Sequence, residues 1–253
     1  MRKFGLLMAF ALGAGLASPA QGQLTVTSGS GATLHTISFD ANGSLEWFEA
    51  PATVTPIDTN SVEGYGVCSD YTGSSAPHGF TLRGIVDVGW SSATVSQPGG
   101  PNTYPVSYTR SSVDGAVELT QEFTGLVGYR ALNIVMKVKN LTGSTIPNMK
   151  ISRFFGITVL NPIFWDNTFD GVNARLEAPA PLLGFQATNN TKTFTLTAST
   201  ELYTAFSGGC DANQAIAAQP VGVQTGGVGR MDYNVGSLSP GQTKIVRFQY
   251  RRY

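Results

Sequence analysis

Residues Phe164-Trp165-Asp166-Asn167-Thr168-Phe169-Asp170-Gly171 combine carboxylate and amide oxygens with large aromatic rings in a stretch that reads as a loop. Loops held by a rigid scaffold carry binding groups more often than strands do. A sugar ring could stack on Trp165 while Asp166 and Asn167 hydrogen-bond its hydroxyls, which requires only an aromatic face and a few fixed polar groups. Asp166, Asn167 and Asp170 also offer three oxygen ligands for calcium, although the alternating Asp-x-Asp-x-Asp spacing of a known calcium loop is missing. The competing reading is structural: Phe164 and Phe169 pin the loop to the core, and Asp166 and Asn167 cap turns. Trp165, Asp166, Asn167 and Asp170 are therefore the candidate ligand-binding residues, with calcium as the one candidate cofactor.

No catalytic residue is assigned. A serine hydrolase of the α/β type would show Gly-x-Ser-x-Gly between a strand and a helix, and the chain lacks it. His35 falls in a short β-like run and His78 in a Pro-Gly loop, so either reads as an ordinary exposed side chain, with a catalytic role as the alternative for His78. Glycoside hydrolysis needs two carboxylates flanking the sugar. Glu118 and Glu122 share one face of a predicted strand with Thr120 between them, opposite Val117, Leu119 and Phe123, which is the solvent side of a half-buried sheet. Cys68 and Cys210 have only His35 and His78 as possible co-ligands and lack zinc-site spacing. Gly226-Gly227-Val228-Gly229 has no helix after it to form a phosphate cradle and reads as loop.

The elements that must position these residues are strands. Val, Ile, Thr, Tyr and Phe recur with period two, and no window of a dozen residues keeps apolar positions at helical spacing. In Ala131 to Lys139, Leu132, Ile134, Met136 and Val138 face the core, and Asn133, Lys137 and Lys139 face water. Asn140 to Ser144 turns the chain into a strand near Ile146 to Phe155, predicting a hairpin, with Pro147 at the strand start. Asn42-Gly43 and Asp114-Gly115 predict further hairpins, because both dipeptides tolerate positive φ. Ser239-Pro240-Gly241 turns into a last strand, Lys244 to Tyr250, with Val246, Phe248 and Tyr250 on one face. Ser96 to Asn102, Ala178 to Pro181 and Gly222 to Gly229 read as long loops. Many short strands between Gly, Pro, Asn and Ser clusters predict an all-β fold, a single antiparallel two-sheet β-sandwich domain over residues 24–253.

Residues 1–20 read as a signal peptide, with cleavage falling as late as 23. Arg2 and Lys3 precede the apolar run Phe4 to Leu16, and Ala17-Ser18-Pro19-Ala20 supplies small residues for the peptidase. The run is too short for a permanent span, and no later stretch approaches the roughly 20 apolar residues of a membrane helix. Export to the periplasm or the exterior places Cys68 and Cys210 where they form a disulfide. It would close a loop of about 142 residues, worth on the order of 5 kcal/mol in the chain-entropy model. The chain carries 16 basic and 16 acidic residues. Removal of Arg2 and Lys3 leaves 14 against 16, a net charge of −2, with no basic stripe for nucleic acid. Apolar residues make up 42%, enough for one substantial core.

Glu63-Gly64-Tyr65-Gly66-Val67 resembles the Glu-Gly-aromatic-Gly opening of a group of uncharacterised secreted bacterial β-sandwich proteins. The similarity continues through Leu119-Thr120-Gln121-Glu122-Phe123, Val138-Lys139-Asn140-Leu141-Thr142-Gly143, Ile151-Ser152-Arg153 and Leu238-Ser239-Pro240-Gly241. In that group acidic residues often follow the arginine, whereas Phe154-Phe155-Gly156-Ile157-Thr158 stands here. The resemblance implies the fold and export and assigns no activity. The resulting expectation is an exported, non-catalytic β-sandwich protein with a binding or structural role at or outside the cell surface. Its expected partner is a glycan or an extracellular protein, and the alternative is a carbohydrate-active enzyme.

Overall fold

The computed structural model describes residues 24–49, 62–71, 74–83, 86–125, 131–157, 163–169, 174–178, 183–187, 194–199, 222–224 and 227–252. The signal-peptide reading of residues 1–20, Asp170 and Cys210 lie outside them. The strands come first as β1 (Leu24–Ser28), β2 (His35–Phe39), β3 (Leu45–Glu49), β4 (Val62–Tyr71), β5 (Ser74–Leu82) and β6 (Val86–Val88). There follow β7 (Thr94–Ser96), β8 (Val106–Ser111), β9 (Val117–Gly125), β10 (Ala131–Asn140), β11 (Ile146–Ile157) and β12 (Ile163–Phe169). The last are β13 (Ala174–Ala178), β14 (Leu183–Ala187), β15 (Phe194–Ser199), β16 (Gly222–Gln224), β17 (Gly227–Leu238) and β18 (Thr243–Arg252).

Two large antiparallel sheets form the predicted sandwich. One has the order β16-β12-β13-β14-β18-β10-β9-β8-β7 and the other β15-β17-β11-β4-β5-β6. A third sheet, β1-β2-β3, was not foreseen. Its inner face adds Val26, Ile37, Phe39, Leu45 and Phe48 to the common core. Phe39 packs on Phe123 of β9 at 4.6 Å between ring centroids, and Tyr233 of β17 meets Phe248 of β18 edge-on at 5.1 Å, so aromatic contacts join the sheets. Burying each such ring contributes about 1.5–3 kcal/mol.

Strand β10 follows the predicted alternation, with Leu132, Ile134, Met136 and Val138 buried, and Val246, Phe248 and Tyr250 of β18 are buried together. The β2–β3 hairpin turns at Gly43, whose φ of +83° and whose position against the Tyr108 ring both require glycine. Gly115, at φ +69°, turns β8 into β9.

Three expectations are corrected. The segment after Asn140 is not a hairpin: β10 pairs with β9 and β18, whereas β11 pairs with β4 and β17, so the chain crosses between sheets there. Asn140 secures the crossing by donating to Ser144 O at 2.8 Å and Leu238 O at 2.9 Å while its Oδ1 accepts from Thr142 N and Oγ1. Gly222–Gly229 is not all loop, because β16 and the start of β17 occupy most of it, and a glycine-rich run conceals a strand by leaving no side-chain alternation to read. Residues 163–169 likewise form β12 rather than a loop.

Candidate functional site

Among the described residues an ion pair is fully buried in the core. Arg153 Nη2 of β11 lies 2.6 Å from Glu63 Oε1 of β4, with both side chains at 0% exposure. Tyr250 OH donates to Glu63 Oε1 at 2.9 Å, the Leu45 backbone N–H donates to Oε2 at 2.8 Å, and Arg153 Nη1 donates to Gln121 Oε1 at 2.7 Å. The guanidinium also lies over the Phe123 and Tyr250 rings at 5.5 and 5.7 Å. Burial pushes Glu63 up to about 7, against the pull of Arg153, the Leu45 N–H and the Tyr250 hydroxyl. One carboxylate thus holds all three sheets. Segments far apart in the sequence supply Glu63, Gln121, Phe123 and Arg153 to this one point. Gly64 keeps the strands close, since a Cβ there would stand 2.1 Å from Thr81 O.

A second ion pair sits nearer the surface. Arg110 of β8 forks onto Asp87 at 2.8 and 2.7 Å and also donates to Tyr65 OH, Thr81 Oγ1 and Ser91 O. Although its partial burial raises Asp87, the bonds from Arg110 and Thr81 outweigh that and hold its carboxyl below the ordinary range.

His78 corrects the reading of both histidines as exposed, because His35 and His78 are 1% and 3% exposed. His78 lies in β5 where the pairing with β4 slips by one residue, between Val67↔Gly79 and Cys68↔Pro77. Such a bulge re-aims a side chain. The ring spans two partners: Nε2 is 2.8 Å from Ser69 Oγ, and Nδ1 is 2.7 Å from Asp114 Oδ2. Asp114 belongs to the β8–β9 turn in the other large sheet and is steadied by Ser112 Oγ and the Ala116 N–H. Desolvation raises its carboxyl, but the bonds from Ser112, Ala116 and His78 together hold it below the ordinary range. Ser69, His78 and Asp114 share no sequence motif, so only the fold reveals the set.

The outer face of the small sheet carries a further polar array. Register places Trp47 opposite Ser38 and Ser38 opposite Thr25, then Glu49 opposite Thr36 and Thr36 opposite Thr27. Trp47, half-buried, donates from its indole to Glu49 Oε2 at 3.3 Å. Hydroxyl pairs Thr25–Ser38 and Thr27–Thr36 bond at 2.9 and 3.1 Å. The residues between them, Val26, Ile37 and Phe48, face the core. An indole beside a carboxylate and a ladder of hydroxyls is thereby fixed on one face, a signal present in the alternation of β3 but not exploited by the sequence reading.

The described residues among those predicted to bind ligand lie in a strand. Trp165, Asp166 and Asn167 occupy successive positions of β12, at register with Gly222, Glu177 and Leu176. Strand alternation therefore places positions 165 and 167 on one face and 166 on the other. Glu118 and Glu122 do take the outer face of β9, and Glu122 pairs with Lys137 at 2.8 Å. Among the described residues no group of three or more His, Cys, Asp or Glu is arranged to hold a metal ion.

No family model matches the sequence, and no curated protein is significantly similar to it. Solved structures share the fold. A bacterial glucoamylase complexed with acarbose superimposes over 91% of this chain with a TM-score of 0.59 and 11% identity. A galactose mutarotase-like protein from Lactobacillus casei superimposes over 92% of this chain and 100% of its own, with a TM-score of 0.51 and 10% identity. The chain spans about a third of the glucoamylase chain, 32%. At these identities the likeness establishes the β-sandwich fold.

Proposed function

We propose that the chain is an exported glycan-binding β-sandwich protein that recognises sugars without cleaving the glycosidic bond. The observation that carries this reading is the outer face of the small sheet, where the half-buried Trp47 ring, Glu49 and the Thr25, Thr27 and Thr36 hydroxyls offer a stacking surface beside hydrogen-bonding groups, Ser38 itself being buried. The fold shared with a glucoamylase and a mutarotase-like protein supports it by analogy. Of the carboxylates weighed for cleavage, Glu122 is paired with Lys137 and lies with Glu118 on the outer face of β9 rather than across a cleft, and Glu63 is buried against Arg153. Trp165, Asp166, Asn167 and Asp170 are kept as a second locus, with calcium as its candidate ion. Secretion or periplasmic location and a Cys68–Cys210 disulfide belong to the same proposal.

The test is a glycan array probed with residues 21–253, with calcium and with chelator. Binding weakened about tenfold or more by Trp47→Ala, the loss expected for a stacked ring, supports the small-sheet site. A loss confined to Trp165→Ala moves the site to β12, and loss with chelator adds the metal there. Absence of glycan binding in both conditions overturns the reading.

A further inference from the structure

We propose that Ser69, His78 and Asp114 form a nucleophilic relay that hydrolyses uncharged carboxylic esters, an activity separate from glycan binding. The geometry fixes proton positions. Asp114, held ionised by its bonds, can only accept, so the Nδ1 it faces at 2.7 Å carries hydrogen. In the neutral ring Nε2 is then a lone pair, and it faces Ser69 Oγ at 2.8 Å as a general base must. A third layer steadies the acid, since Ser112 Oγ and the Ala116 N–H fix the Asp114 oxygens. Nucleophile, base and orienting acid come from β4, a bulge in β5 and the β8–β9 turn, an arrangement recognised by roles and distances rather than by sequence order.

In the step assigned to them, Ser69 Oγ bonds to the ester carbonyl carbon as its proton passes to His78 Nε2. The carbon–alkoxide bond breaks, and the alcohol leaves with that proton. Water then attacks the acyl-serine, giving its proton to Nε2, and the carboxylic acid departs as the proton returns to Ser69. The surroundings define the substrate class. Ser69 and His78 are 1% and 3% exposed, so the relay is shielded from water and its Asp114 end is the one that reaches solvent. The solvent end carries the half-exposed Asp114 carboxylate with Val88 and Val113, 52% and 74% exposed, a rim that repels anions and tolerates apolar groups. Val113 N bonds Gly89 O, and Gly89 packs against the His78 carbonyl, so both valines border the relay.

The test treats the mature chain with diisopropyl fluorophosphate and maps the adduct by mass spectrometry, with p-nitrophenyl acetate turnover measured in parallel. The expected result is one adduct on Ser69, turnover abolished by Ser69→Ala, and labelling slowed at least a hundredfold by Asp114→Asn with the melting temperature retained. Loss of the aspartate in such relays lowers turnover by ~10⁴. No adduct on Ser69 in the wild-type protein, or equal labelling of Asp114→Asn, overturns the proposal and leaves the set as a tether between the sheets. Glycan binding by the same preparation is unaffected by either result, so the two readings fail separately.

Discussion

Glu63 and Arg153, on neighbouring strands of one sheet, form a 2.6 Å ion pair with no exposed surface, and through it the other two sheets are joined to that strand pair. Leu45 of the small sheet and Tyr250 and Gln121 of the nine-stranded sheet all hydrogen-bond to the pair. The molecule is thus organised around a polar centre inside an apolar core, and its loss has consequences beyond one contact.

Arg153→Met leaves the Glu63 carboxylate buried without its cation and Gln121 Oε1 without its donor. Removing one partner of a buried pair costs about 3–5 kcal/mol. Urea unfolding at pH 8 should show a loss of that size, and a change below about 1 kcal/mol would mean that the pair is solvated.

Stability should fall as pH rises through the range set by Glu63. Its folded value lies near 7, above the ordinary 4.5, so the folded state holds the proton more tightly; the contribution is complete below 4.5 and lost as pH passes 7. The shift corresponds to roughly 3 kcal/mol. Burial lowers His35, which works in the opposite direction near its ordinary 6.5. Comparison with Glu63→Gln isolates the carboxyl: the variant should lack the falling component between pH 5 and 8. Parallel profiles for the two proteins would refute the assignment.

Asn140→Ala removes the two amide bonds to Ser144 O and Leu238 O and the acceptor for Thr142. At about 1 kcal/mol for each bond, the loss is about 2–3 kcal/mol. Denaturant titration should show a lower midpoint with an unchanged slope, since the crossing is weakened without exposing new surface in the native state.

Reduction should lower the melting temperature of the mature protein. Cys68 is buried in β4, and its proposed bond to Cys210 restricts the unfolded chain. An unchanged melt together with two free thiols by mass spectrometry would exclude the bond.

Much of the fold was legible because period-two patterning is local. In β10 the alternating Leu132, Ile134, Met136 and Val138 could point only to one buried face, and Gly43 and Gly115 announced their turns through backbone freedom. Pairing was less legible. A turn such as Asn140–Ser144 serves a hairpin or a crossing equally well, and the choice rests with Leu238 O, a partner distant in sequence. The segment around Trp165 was not legible either: Trp165, Asp166 and Asn167 read as loop residues but are successive positions of β12.

By itself the sequence determined an all-β chain, because strand periodicity and turn chemistry are each written in adjacent residues. Tertiary structure alone decided that Glu63 meets Arg153, that Ser69, His78 and Asp114 align, and that Trp47 shares a face with Thr25 and Thr36. The reason is physical: sheet register and layer packing join residues far apart in the chain, and a hydrogen bond or an ion pair depends on separation in space, which no local pattern encodes.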